Sequence, residues 1–170
     1  NHYYIHAVEG SLNPERAIPS AKRLGKLAPD AGHLVHMPSH IYIRTGDYSQ
    51  AAEVNAEAIV ADENYIKGHG NEGVYPLMYY NHNIHMLASS EAANGNYAAS
   101  IKAANDLATS AGPNVKAAPM LEMFMPYPII SNIRFHKWDE LLAYPKPAEH
   151  MLITIAHWHF GRGMAFAEKK

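Results

Sequence analysis

From Tyr42 the chain reads YIRTGDYSQAAEVNAEAIVADEN: a helical stretch stops at Gly46-Asp47-Tyr48, and a second helix follows with Ala51, Ala52 and Ala58 on its packing side. The same punctuation returns at Gly95-Asn96-Tyr97 in GNYAASIKAANDLATSAGP, again before an alanine-rich helix. Later, RFHKWDELLAYP sets Trp138 where Tyr48 and Tyr97 stand, with His136 in place of the turn glycine. Earlier, LNPERAIPSAKRLGKLAP opens a helix at Pro14 and carries Ala17, Ala21 and Leu24, with Ala17 lying 34 residues before Ala51. Two antiparallel helices cannot bury their apolar faces alone. Stacked copies can, and alanine lets their backbones approach closely.

The pattern predicts an all-α fold with helices over 1–10, 14–27, 32–45, 48–64, 76–93, 97–110, 117–134, 137–143 and 149–168. Joins bearing Pro29, Pro113, Pro145 and Pro147 separate several of them. The units fall near 1–30, 31–65, 76–112, 117–144 and a partial 149–170, in one domain. The period is loose: Gly46 to Gly95 is 49 residues, and KGHGNEGVYP reads as an inserted loop. A non-repetitive helical bundle is the alternative. With Gly-x-Tyr at the turn and alanine at the close contacts, the chain resembles the tetratricopeptide repeat (TPR). That implies a right-handed superhelical solenoid of stacked antiparallel helix pairs. HYYIHAVE, GHLVHMPSHIY and HNIHML further resemble signature stretches of a group of uncharacterised bacterial TPR-containing proteins. Members of that group are longer, so the resemblance implies a middle portion of a longer bacterial chain, cytoplasmic or periplasmic.

Histidine is the odd component: twelve residues, against four phenylalanines and no cysteine. Without cysteine there is no disulfide, no thiolate zinc site and no cysteine nucleophile. The charge is balanced, 14 basic against 16 acidic residues, with no basic patch to recruit nucleic acid. No apolar run is long enough for a membrane span.

The histidines keep register with the repeat. His33, His36 and His40 lie thirteen, ten and six residues before Gly46, and His82 and His85 lie thirteen and ten before Gly95. Leu12 takes the turn place in the first unit, with His2 and His6 ten and six before it and Glu9 three before. These spacings share one helix face. In TPR proteins that face of the first helix lines the concave groove. The resemblance therefore implies that His2, His6, Glu9, His33, His36, His40, His82 and His85 share one groove, with Arg44 beside them.

Neutral imidazole is the commonest metal ligand, and His2/His6 and His36/His40 have the i, i+4 spacing that grips one ion. The candidate metal ligands are His2, His6, Glu9, His36, His40 and His85. A nitrogen and oxygen donor set without sulfur suits Zn²⁺, Ni²⁺, Cu²⁺ or Fe²⁺. The other reading is a hydrogen-bonded polar groove with Tyr3, Tyr42, Tyr79 and Tyr80 alongside. Pro38 within the histidine stretch should kink its helix or free a carbonyl. Met120, Met123, Met125 and Phe124 read as core or as a seam between units, and Gly161 and Gly163 as places of close helix packing.

The chain lacks His-Glu-x-x-His, Gly-x-Ser-x-Gly and a phosphate-binding glycine loop. The expected function is a binding module whose histidine-lined groove takes a transition-metal ion, or a peptide or protein partner. The alternative is a metal-dependent hydrolase with Glu9 as base. TPR domains that clamp a terminal carboxylate use lysine and asparagine where His36 and His40 stand, which argues against that ligand class. Exposed end helices would favour self-association.

Overall fold

A computed structural model describes residues 1–70 and 72–170. Among these there is no strand, and no helix is long and apolar enough to cross a membrane. Ten α-helices follow one another: α1 His2–Glu9, α2 Ile18–Leu27, α3 Gly32–His36, α4 Pro38–Thr45, α5 Tyr48–His69, α6 Asn81–Ala93, α7 Tyr97–Ala111, α8 Tyr127–Arg134, α9 Trp138–Ala143 and α10 Leu152–Glu168. Most pack on their near neighbours in the chain: α3 and α4 on α5, α5 on α6, α6 on α7, α7 on α8, and α10 on α8 and α9.

Gly46 and Gly95 stop helices at φ +84° and +80°, a left-handed conformation that costs glycine little. His136, at the equivalent place, adopts φ +55° without that freedom. Two arginines, each two residues before such a turn, bind the end of an earlier helix. Arg44 Nε donates to the Glu9 carbonyl at 3.0 Å, and Arg134 Nε donates to the Ala92 carbonyl at 2.8 Å. Both carbonyls lie in the last turn of a helix, where a cation opposes the helix dipole.

Prolines account for most departures from the expected helices. The 32–45 helix breaks at Met37, because Pro38 has no N–H to continue the ladder. The expected 117–134 helix is a 3₁₀ segment, Pro119–Phe124, followed by α8 after Pro126. Ala118, directly before Pro119, is held extended at φ −131° and cannot begin a helix. The 14–27 helix starts as a 3₁₀ turn, Pro14–Ala17, and the 76–93 helix starts as a π-helical turn, Tyr75–Tyr80. α5 runs past residue 64 to His69, so the first part of the expected insert is helical. Gly70 and Gly73 turn the chain at φ +89° and +93°, and Asn71 of the insert lies outside the described residues.

Three apolar clusters hold the helices together. Ile5, Val8, Ala17, Ala21, Leu24, Met37 and Ile41 join α1 to α4. Ile84, Ala88, Ala103, Ala104, Leu107, Leu121 and Phe124 form the middle. Ile129, Leu141 and Ala165 form the last, where Gly161 packs so closely that a Cβ there would lie 3.0 Å from Leu141. Gly163 has open space instead, so only one of the two expected close-packing glycines is one.

The buried stripe of α5 is not wholly apolar. Ala51, Asn55, Ala58 and Asp62 share it, and Asn55 and Asp62 have no exposed surface. A buried polar group must find partners or cost stability. Both find theirs in the elements that carry histidine.

Candidate metal centre

α1 supplies His2, His6 and Glu9, α3 and α4 supply His33, His36 and His40, and α6 supplies His82 and His85. The helices bring them onto one surface in a continuous strip. Nε2 of His2 lies 3.1 Å from Nε2 of His33, and Nε2 of His36 lies 3.0 Å from Nε2 of His40. Ring centroids are 5.1 Å apart for His6 and His40, 4.8 Å for His36 and His82, and 5.7 Å for His82 and His85. Two of these contacts are offset in the sequence register, while His6 and His40, each six before its turn place, meet level. The histidine ten before one turn meets the histidine thirteen before the next, as His2 with His33 and His36 with His82.

Hydrogen bonds determine which nitrogens are free. The Asn55 amide donates from Nδ2 to the Ala51 carbonyl at 2.7 Å, which turns its oxygen toward His36. His36 Nδ1–H donates to that oxygen at 2.9 Å, and the Ser39 hydroxyl lies 3.3 Å from the same nitrogen. His40 Nδ1–H donates to Glu9 Oε2 at 2.6 Å, and His6 Nδ1–H donates to Glu9 Oε1 at 2.7 Å. In the neutral rings, Nε2 of His36, His40 and His6 is then an unprotonated lone pair.

Charge state follows from burial and crowding. Burial lowers the pKa of His36 well below the ordinary imidazole value, and His40 and His82 push it further down. Burial first, then neighbouring histidines, takes His33 and His82 down to about 4; burial alone does so for His85. His40 is lowered by burial despite the opposing pull of Glu9. Burial would raise Glu9, but its bonds to His6 and His40 prevail and lower it. His2, His33, His36, His40, His82 and His85 are thereby neutral at neutral pH, beside one ionised carboxylate.

Three groups of side chains offer ligand atoms all within 4.8 Å of one another: His36, His40 and His82; His2, His6 and His33; and His6, Glu9 and His40. His33 and His82, expected in the groove but not as ligands, belong to these groups. His85, expected as a ligand, belongs to none. It packs 4.4 Å from the Tyr127 ring, and its Nδ1 is buried without a partner. Arg44 spends its Nε on the Glu9 carbonyl, at the edge of the strip. Tyr3 and Tyr79 pack on His2 and His33, whereas Tyr80 reaches Glu63 and Tyr42 is buried. His69 is exposed at the end of α5.

His2, His6, His33, His40, His82 and His85 line a cavity of about 740 Å³. Val74, Met78, Met120, Met123 and Phe124 supply apolar lining to the same cavity. Met120 and Met123 are therefore not core; they are 62% and 53% exposed and line the cavity with the histidines, while Phe124 is buried.

The sequence reading missed the residues that support the strip. Asp62 accepts from Tyr75 Oη and Asn83 Nδ2, both at 2.7 Å, and so ties α5 to the π-helical turn and to α6 beside His82. Gly32 sits directly over that carboxylate, where a Cβ would lie 1.9 Å from Asp62 Oδ1. The available signal was the placement of Asn55 and Asp62 on the alanine stripe of α5. Comparison with family models, with curated proteins and with solved structures found no match for this chain.

Proposed function

We propose that the chain is a TPR-like helical-repeat binding module whose histidine-lined groove binds a divalent transition-metal ion, with His36, His40 and His82 as ligands. One observation carries the reading. Nε2 of His36 and Nε2 of His40 lie 3.0 Å apart while each ring commits its Nδ1–H elsewhere. Two lone pairs then face each other across a hydrogen-bonding distance with no proton between them. Protonating either ring would relieve the conflict, but burial and adjacent histidines oppose it. A metal ion relieves it fully. Bonds of about 2.0–2.1 Å to imidazole nitrogen place tetrahedral ligand atoms about 3.3 Å apart, so the pair needs only a slight opening. His82 adds a third nitrogen, and the remaining position opens toward the cavity.

The three-nitrogen set suits Zn²⁺, Ni²⁺, Cu²⁺ or Fe²⁺, and availability rather than affinity would choose among them. A hydrolase reading loses its base. Both Glu9 oxygens already accept imidazole N–H bonds, and its pKa is held low. The test is elemental analysis of protein purified without a histidine tag, stripped with EDTA and reloaded with Zn²⁺. Retention of zinc that His36→Ala and His82→Ala each lower by one equivalent, and that His69→Ala leaves unchanged, supports the site. Less than a tenth of an equivalent after loading overturns it.

A further inference from the structure

We infer that the groove holds a second metal ion, bound by His2, His6 and His33, and that Glu9 couples the two sites by orienting one ligand of each. This rests on the metal-binding reading above and extends it to a two-ion groove. His2, His6 and His33 bring their ligand atoms within 4.8 Å of one another, and the Nε2 atoms of His2 and His33 are already 3.1 Å apart. His33 Nδ1 is buried without a partner, so no hydrogen bond at that nitrogen fixes the ring's tautomer. His2 and His6 are one turn apart on α1, and His33 arrives from α3.

Glu9 decides how the ions divide the histidines. His6, Glu9 and His40 are themselves close enough to form a ligand group, which would compete for two residues that the other groups need. Yet the Glu9 contacts are 2.6 Å and 2.7 Å, both to Nδ1. Those are charge-assisted hydrogen-bond lengths, shorter than the separation of two ligands on one ion. Each carboxylate oxygen holds one imidazole by its N–H and leaves that ring's Nε2 to bind metal. This is the orienting carboxylate–histidine arrangement, made here twice from one side chain. Arg44 anchors Glu9 in turn, through its backbone carbonyl at 3.0 Å. The second ion shares the groove with the first: His2, His6, His33, His40 and His82 all line the same cavity.

Calorimetric titration of stripped, untagged protein with Zn²⁺, checked by elemental analysis after desalting, tests this. The expected result is two equivalents in the wild type. His2→Ala and His33→Ala should each leave one, and His82→Ala should leave the other. Glu9→Gln should keep both equivalents but weaken each by about tenfold or more, since an amide cannot accept from two imidazoles. His2 and Glu9 are only partly buried and lie outside the apolar cluster that Ile5 and Val8 join, so these two variants keep the core intact. One equivalent in the wild type, undiminished by His2→Ala, overturns the second site while the first stands. No retained zinc overturns both. Two equivalents with unchanged affinities in Glu9→Gln overturn the coupling role of the carboxylate.

Discussion

Asn55 and His36 are both fully buried, and the amide oxygen of Asn55 accepts the Nδ1–H of His36 at 2.9 Å. That bond, from a helix that carries no histidine in the strip, turns His36 Nε2 toward His40. Asn55→Leu should therefore reduce zinc affinity by about 10–100-fold, the usual cost of losing a bond that orients a ligand. It should also leave a buried N–H unpaired, costing about 1–3 kcal/mol. Asn55→Asp keeps the acceptor and should retain more affinity than Asn55→Leu. Competition with a chromophoric chelator gives the affinities, and urea melts give the stability.

Gly32 and Gly163 predict opposite outcomes for one substitution. A Cβ at Gly32 would meet Asp62 Oδ1 at 1.9 Å and the Ala58 carbonyl at 2.8 Å, and the backbone oxygen cannot swing away. Gly32→Ala should destabilise by about 1–3 kcal/mol, as overpacking does. It should also displace α3, which carries His33 and His36. Gly163 lies inside α10 with nothing within 4 Å of such a Cβ. Gly163→Ala should stabilise by about 0.5–1 kcal/mol, the ordinary gain from replacing glycine within a helix. Thermal melts of the two variants decide.

Much of this architecture is legible in the chain because turns are local. Gly46, Gly95 and His136 take positive φ where the sequence pattern puts turns, and Pro38 breaks its helix where a missing N–H must. The all-helical content follows from the same spacing. The partition of ligands was not legible. Register alone puts His33 and His82 in the row with His85, but it does not reveal which histidines of neighbouring helices meet. His82 meets His36, while His85 lies against Tyr127. Met120 and Met123 misled because apolarity implies burial only when a facing element exists, and theirs is an open groove. Asn55 and Asp62 were visible as polar residues on an alanine stripe, but their partners lie 19 and 21 residues away, in His36 and Asn83.

Asp62 is a buried carboxylate with two neutral donors and no cation. Burial raises its pKa, though the bonds from Tyr75 and Asn83 pull the other way. Asp62→Asn removes the charge and keeps the shape. Asn83 Oδ1 has no partner, so its amide can turn over and accept from the new side chain. Asp62→Asn should cost little, while Asp62→Ala orphans Tyr75 and Asn83 and should cost about 1–3 kcal/mol for each donor stranded. Denaturant midpoints compare the two, and equal losses would show that the charge itself is needed.

Acid should unfold the metal-free protein over a window set by the strip. His33, His82 and His85 titrate at about 4 in the folded chain, against an ordinary value of 6.5. Between those values the unfolded chain carries protons that the folded chain refuses, so stability rises with pH. It is complete above about pH 6.5 and is lost as pH falls toward 4. Each group adds at most about 1.4 kcal/mol per pH unit, less where water reaches the ring, as at His33. Glu9, lowered in the folded state, adds a further loss below its unfolded value of 4.5. Asp62 acts oppositely, because a raised carboxyl favours the folded state at lower pH, but one group cannot cancel three. Melting temperatures of EDTA-treated protein should be level from pH 8 to about 6.5 and then drop. Bound zinc should raise the curve at neutral pH, and the increment should vanish toward pH 4 as protons take the ligands. A level curve from pH 8 to 4.5 without metal would mean that the imidazoles are hydrated and the strip is open.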